Sequence, residues 1–247
     1  CDLAGCFSSN ASVQPTTTNI VTNSQELRIL GLSGVYNQTL FDGMPLIQGL
    51  SFTYGISSIP GALVDNIYVA KGTTSVIQGY KSISGQINVE PKEPDKTDKL
   101  LLNVYSNSFL EKHFNGIYAT PIGKRKEWKN ILAVHAIQPS NKFDRDNDSF
   151  LDLPLLTRYM FYDKLKYRDD KSFGWSSRIG MMYLDEQRIG GQTDFNPSTD
   201  KGSSTMYGQT VNINQPTLYT KTGFRFNDDK AITLLADGFY QKQNSWF

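Results

Sequence analysis

The chain predicts an α/β subdomain over residues 1–95, followed over 96–247 by all-β antiparallel strands of a transmembrane barrel that is incomplete as given. Three observations predict this. Hydrophobic residues make up 38% of the 247, below the ~45–50% usual for a globular chain. Yet there are 14 Phe, 13 Tyr and 3 Trp, and with abundant Gly, Ser, Thr and Asn this mixture favours strands and turns. Beyond Lys99 the apolar residues then recur with period two, in segments of the length that crosses a bilayer as a tilted strand, ~9–11 residues. No apolar run reaches the ~18–20 residues of a membrane-spanning helix, which does not bear on spanning strands.

In the first part, Gln25–Leu30 reads as a strand closed by the turn Gly31–Gly34. Tyr36–Phe41 is a second strand, ending at the turn signal Asp42-Gly43. Leu46–Pro60 reads as a polar loop carrying Phe52 and Tyr54, and Ile59–Asp65 as a short helix with proline near its first turn. Asn66–Ala70 and Gly85–Glu90 are further strands. This is little apolar area for a free-standing core.

The second part holds seven strand candidates: Leu100–Asn107, His113–Thr120, Trp128–Ile137, Leu156–Tyr167, Phe173–Asp185, Thr217–Phe226 and Ala231–Lys242. Within the fifth, Phe173, Trp175, Ile179, Met181 and Tyr183 share a face opposite Ser176 and Arg178. Within the sixth, Leu218, Phe224 and Phe226 oppose Lys221 and Arg225. Such alternation fits a sheet with one greasy and one wet face. Connections alternate too: short turns around Gly123, Asp169 and Asp228, against longer loops at Pro139–Pro154 and Glu186–Pro216. Ser108–Glu111 is a short exception at the long-loop end. Short turns at one end and long loops at the other is barrel organisation, whereas a soluble sandwich turns every ~8–12 residues.

Phe41-Asp42-Gly43-Met44-Pro45, Tyr68-Val69-Ala70-Lys71-Gly72 and Ile83-Ser84-Gly85-Gln86-Ile87-Asn88-Val89 resemble the second half of the plug domain of TonB-dependent outer-membrane receptors, of the Bacteroidota kind. The segment that follows resembles the first strands of their barrel, seven of about 22. The resemblance implies a receptor of the bacterial outer membrane, carrying a signal peptide in its precursor. It implies no enzymatic activity and import of a scarce ligand, a ferric siderophore, a corrinoid or another metal complex, driven by the TonB energy-transducing complex. Outer-membrane lipid is the implied surroundings, and Pro91–Lys99 the connection from plug to wall. The family's isoleucine-arginine-glycine reads Ile29-Leu30-Gly31 here, with Arg28 two places before the arginine's position, and its arginine-glycine-proline reads Lys71-Gly72-Thr73. Arg28 and Lys71 are therefore the expected plug–barrel contacts. Outward plug loops offer Tyr36, Asn37, Gln38, Gln48, Phe52 and Tyr54 to the ligand, or to the barrel wall as packing.

Four features stand apart. Net charge near +1 gives no global case for nucleic acid. Asp144, Asp146, Asp148 and Asp152 follow the opening positions of a calcium loop, with Ser149 where glycine belongs and Leu155 where glutamate belongs. They fit a Ca2+ site or a solvated acidic loop. Cys1 and Cys6 fit a disulfide in an oxidising compartment, against a redox or metal pair whose spacing they lack. His113 and His135, the only histidines, have no ligand-like partner nearby in sequence. A calcium-dependent surface adhesion protein without transport is the alternative reading, and it would fold in buffer where a barrel segment needs detergent. The chain opens on Cys1 without Met, as an internal piece of a precursor would.

Overall fold

The computed structural model describes the chain apart from residues 1–2, 9, 48, 50–51, 75–80, 124–126 and 169–172, and the side chains of 46 and 47. A four-stranded sheet in the order β4-β3-β6-β5 forms the centre of the first part, from β3 (Asn37–Phe41), β4 (Met44–Ile47), β5 (Val64–Lys71) and β6 (Gly85–Pro91). β3 and β6 run parallel. Beside this sheet lies a hairpin of β1 (Val13–Asn19) and β2 (Ser24–Ile29), with the short helices α1 (Leu3–Cys6) and α2 (Phe52–Ser58). α2 occupies what reads in sequence as a polar loop: its Tyr54, Gly55, Ile56, Ser57 and Ser58 are buried. β1 has no counterpart among the predicted strands, because Thr, Gln and Asn fill most of VQPTTTN and leave no apolar alternation.

The second part is one antiparallel sheet running from β7 to β13 in sequence order, with β14 also paired to β12. Its strands are β7 (Leu100–Ser106), β8 (Lys112–Ile122), β9 (Trp128–Gln138), β10 (Leu155–Arg168), β11 (Gly174–Gly191), β12 (Gly208–Arg225), β13 (Ala231–Phe239) and β14 (Lys242–Trp246). β13 and β14 continue one register along β12, Thr217↔Phe239 and then Asn214↔Lys242. The break falls opposite Pro216, which has no N–H to give the ladder and only accepts from the Tyr240 N–H at 3.1 Å.

About half of the predicted loop Glu186–Pro216 is strand, since β11 runs on to Gly191 and β12 begins at Gly208. Both faces there are polar. Glu186 and Arg188 point inward and are buried, while Asp185 and Gln187 point outward and are exposed. A reading keyed to apolar residues sees no strand in such a segment. Lower on the same wall the outer face is greasy and open: Leu102, Val104, Trp175, Met181, Leu218 and Ile232 are 46–74% exposed. Trp175, Phe224 and Phe226 stack edge to face at 5.1 and 4.8 Å beside the short turns. Tyr159 and Tyr183 stand nearer the long loops, where their hydroxyls accept from Gln138 and Asn214. An apolar band between two aromatic rows is how a barrel wall meets lipid.

The opposite face of the wall packs on the first part. Ile117, Ile131, Met160, Tyr162, Met182, Val211 and Tyr219 join Leu27, Ile29, Phe41, Ile56, Ile87 and Val89 in one buried cluster. The subdomain completes its core against the wall, which explains the thin apolar content of its own sequence.

Candidate functional site

Two ionic clamps join subdomain to wall. In the first, Glu186 of β11 lies between Arg158 of β10 at 2.6 Å and Arg188 of β11 at 2.5 Å. All three side chains are at most 3% exposed. The two guanidinium groups then reach across. Arg158 Nη1 donates to the Ser57 carbonyl at 2.7 Å. Arg188 Nη1 donates to the carbonyls of Thr22 and Asn23, each at 2.9 Å, and its Nη2 to Ser57 Oγ at 2.8 Å. Its guanidinium also lies 4.7 Å from the centre of the Tyr54 ring. The wall thus supplies all the charge, and the subdomain supplies oxygens at the end of α2 and in the β1–β2 turn.

The second clamp sits at the short-turn end. Asp42, in the left-handed region at φ 54°, accepts from Tyr219 Oη at 2.8 Å, and Tyr219 pairs with Tyr162 at 2.8 Å. Fully buried Lys164 lies 3.6 Å from Asp42 and 2.8 Å from Glu93. Glu93 also holds Lys166 at 2.6 Å, while Asp95 holds Lys166 at 2.6 Å and Lys129 at 2.8 Å. The connecting segment is therefore bolted to the wall rather than lying free in water. Burial works to raise the Glu93 carboxyl, but Lys164, Lys166 and Arg178 outweigh it and hold the group at about 2. Asp95 is lowered as well, by Lys129 and Lys166 against its burial. A carboxyl depressed in the folded state stabilises above its ordinary value of 4.5 and loses that contribution as pH falls toward 2. We expect calorimetry of the full-length protein to show its melting temperature falling between about pH 5 and pH 3, with a shallower fall in Glu93→Gln. Equal slopes in the two proteins would remove Glu93 from the clamp.

Arg28 and Lys71, the expected contacts, lie elsewhere. Arg28 pairs with Glu26 on its own strand at 2.7 Å, and Glu26 also accepts from Ser33 and from the Gly34 N–H. Lys71 ends β5, exposed, with no ion pair among the described residues. The residues that make the clamps went unmarked in sequence, since Arg158, Lys164, Glu186 and Arg188 look like solvent-facing charges until the register shows them pointing inward.

β3 and β6 both end toward the connecting segment, so their first residues mark the opposite, long-loop end of the subdomain. There a cavity of about 410 Å3 is lined by Val35, Tyr36, Asn37, Gln38, Phe52 and Ile83, among others. It joins four of the six predicted ligand residues. Asn37 is largely engaged inside the fold, through the Leu27 carbonyl and Ser84 Oγ, and Gln38 pairs with Gln86. Tyr36, 45% exposed, and Phe52 are the open aromatic surfaces. Tyr54 is not part of this cavity: it is 6% exposed, beneath Arg188. Gln48 lies outside the described residues, as does Cys1 and with it the predicted Cys1–Cys6 disulfide.

In the 139–154 loop, oxygens of Asp144, Asp146 and Asp152 lie within 4.8 Å of one another. Asp148 instead accepts from the Phe150 N–H, and Asp144 accepts from the N–H groups of Asp148 and Ser149. Ser149, standing where glycine belongs, takes the left-handed φ of 70°. The Asp146 carboxyl is raised, chiefly by repulsion from Asp148. The two histidines, far apart in sequence, meet across the β8–β9 pair with ring centres 6.0 Å apart. His113 is bonded to Glu111 at 2.6 Å and His135 to Asn115 at 2.7 Å.

Residues 2–86 match the family model described as the TonB-dependent receptor plug domain. No curated protein matches the sequence. Among solved structures, the ferric yersiniabactin uptake receptor FyuA from Yersinia pestis is 16% identical with a TM-score of 0.68, over 98% of this chain and 38% of that one. The siderophore receptor PiuA from Acinetobacter baumannii is 18% identical with a TM-score of 0.64, over 99% and 35%. The copper transporter OprC is 14% identical with a TM-score of 0.62, over 99% and 43%. The chain thus spans less than half the length of each of these three, and at such identity the likeness is one of fold. Residues 2–86 therefore carry a TonB-dependent receptor plug domain, and the strands after it fold as the antiparallel wall of an unclosed barrel.

Proposed function

We propose that the protein imports a scarce metal complex, a ferric siderophore or a corrinoid, across a bacterial outer membrane, driven by TonB. The observation that carries this reading is a plug held against the inner wall by two ionic clamps while the outer wall carries an exposed apolar band. A surface adhesin has no use for a subdomain docked on the wet side of such a wall. The long loops then face the outside and the short turns the periplasm, which puts the cavity of Tyr36 and Phe52 on the side where ligand arrives. Aromatic faces there stack on a chelate's planar groups.

The test is uptake. Cells lacking their own receptors but expressing the full-length protein are given a panel of radiolabelled ferric siderophores and cobalamin, with and without TonB. One member of the panel is expected to accumulate only when TonB is present. Tyr36→Ala with Phe52→Ala is expected to weaken its binding at least about tenfold, as loss of one or two buried aromatic contacts does. Uptake of every member without regard to TonB overturns the transport reading. Unchanged binding in the double variant overturns only the placement of the site.

A further inference from the structure

We propose that the lumen-facing wall at the short-turn end holds an anion-binding site for a phosphate or carboxylate group. The register aligns four cations directly across four strands: Lys129↔Lys166, Lys166↔Arg178 and Arg178↔Lys221. All four point to the plug side, in step with buried Ile131, Lys164, Gly180 and Tyr219 on the same strands. Like charges directly opposite across a sheet repel, so a row of four needs counter-charge.

The connecting segment supplies half of it. Asp95 holds Lys129 and Lys166, and Glu93 holds Lys166. The other half has no close carboxylate among the described residues. Among them, Arg178 makes only long contacts, 3.5 Å to Asp42 and 3.8 Å to Glu93, and its side chain is 38% exposed. Lys221 enters no ion pair among the described residues. A cavity of about 310 Å3 opens here, lined by Lys166, Arg168, Arg178, Lys221 and Arg225, with Ser176 and Thr233 offering hydroxyls. No described lining residue is a carboxylate. Arg225 is turned partly aside, to Asp228 at 3.4 Å and to the carbonyls of Asn227 and Asp228. Two guanidinium forks, an ammonium and hydroxyl donors suit an oxyanion with several acceptor oxygens.

Such a group has two sources. Trp175 and Tyr167 of the aromatic row border the same cavity, within reach of a phospholipid headgroup, while the cations themselves face the lumen, where a free anion would arrive. The experiment uses full-length receptor in an uncharged detergent stripped of phospholipid. Citrate and inorganic pyrophosphate are titrated while the melting temperature is followed, and phosphatidylglycerol retention is measured by native mass spectrometry. We expect saturable stabilisation by a soluble anion, weakening with added salt, if the source is the lumen. Retention of phosphatidylglycerol with no response to soluble anions identifies the headgroup. In either case Lys221→Glu places a carboxylate beside Arg178, and is expected to abolish the response while the barrel stays folded, as judged by its heat-modifiable migration. Lys221→Gln is expected to weaken binding about tenfold or less. Absence of both responses in the unmodified receptor overturns the site, and so does a folded Lys221→Glu protein that responds as the unmodified one does.

Discussion

Glu186→Gln is expected to loosen the plug from the wall more than any other single charge change in the chain. Among the described residues, Glu186 is the sole counter-charge in contact with both Arg158 and Arg188. Neutralising it leaves two buried guanidinium groups facing each other, and Arg158 Nη2 already lacks a partner among the described residues. Breaking a buried ion pair by removing one member costs about 3–5 kcal/mol, and here one carboxylate serves two cations. The strain has an outlet, because either arginine regains water if the Ser57 and Thr22 carbonyls withdraw. The expected readout is faster hydrogen exchange in the β1–β2 turn and α2, with the β10–β12 ladder unchanged. A control separates charge from shape. Arg158→Leu with Glu186→Leu removes one guanidinium together with the carboxylate, so it is expected to cost less, although Arg188 remains buried. If the double variant exchanges as fast as Glu186→Gln, docking depends on the arginine hydrogen bonds and not on charge balance.

The sequence shows the architecture more readily than the clamps. Period two in the Phe173–Asp185 and Thr217–Phe226 segments suffices to find strands and to assign the greasy face, since Trp175, Met181, Leu218 and Phe224 all prove outward. Alternation says nothing about register. That Lys166, Arg178 and Lys221 stand in one row, or that His113 and His135 meet, depends on where each strand slides against the next. Polar continuations are hidden for a related reason. Beyond Tyr183 on β11 and before Thr217 on β12 the outer face leaves the apolar band, while the inner face carries Glu186, Arg188 and Gln209, so neither face is apolar enough to mark. Arg28 and Lys71 are drawn from a family pattern that this chain departs from. Here the plug side of the clamp is carbonyls of Thr22, Asn23 and Ser57, and the wall carries the arginines. Tyr54 misleads for a simpler reason: exposure cannot be read from a residue in a segment taken for a loop, and the short helix α2 buries it.

Gly190→Ala is expected to reach the same undocked state without touching a charge. A Cβ at Gly190 would stand 1.9 Å from the Val21 carbonyl oxygen and 2.8 Å from its carbon. Both atoms are backbone of the plug, in the turn whose next two carbonyls accept from Arg188. No rotamer change relieves such a clash, so the turn or β11 must move. β11 is paired along its length, β10 on one side and β12 on the other, whereas the turn belongs to a two-stranded hairpin. The hairpin gives way, and the Arg188 hydrogen bonds go with it. Overpacking a tight site costs about 1–3 kcal/mol, and lost bonds to a charged donor add about 1.5–3 kcal/mol. Gly180→Ala supplies the comparison: its Cβ would meet the Tyr219 ring at 2.2 Å, a side chain whose displacement would disturb the Asp42 clamp and leave the β1–β2 turn in place. Hydrogen exchange is therefore expected to rise at residues 20–23 in Gly190→Ala and around Asp42 in Gly180→Ala. Should both variants speed exchange across the entire plug alike, the two clamps are not separate fastenings but one cooperative unit.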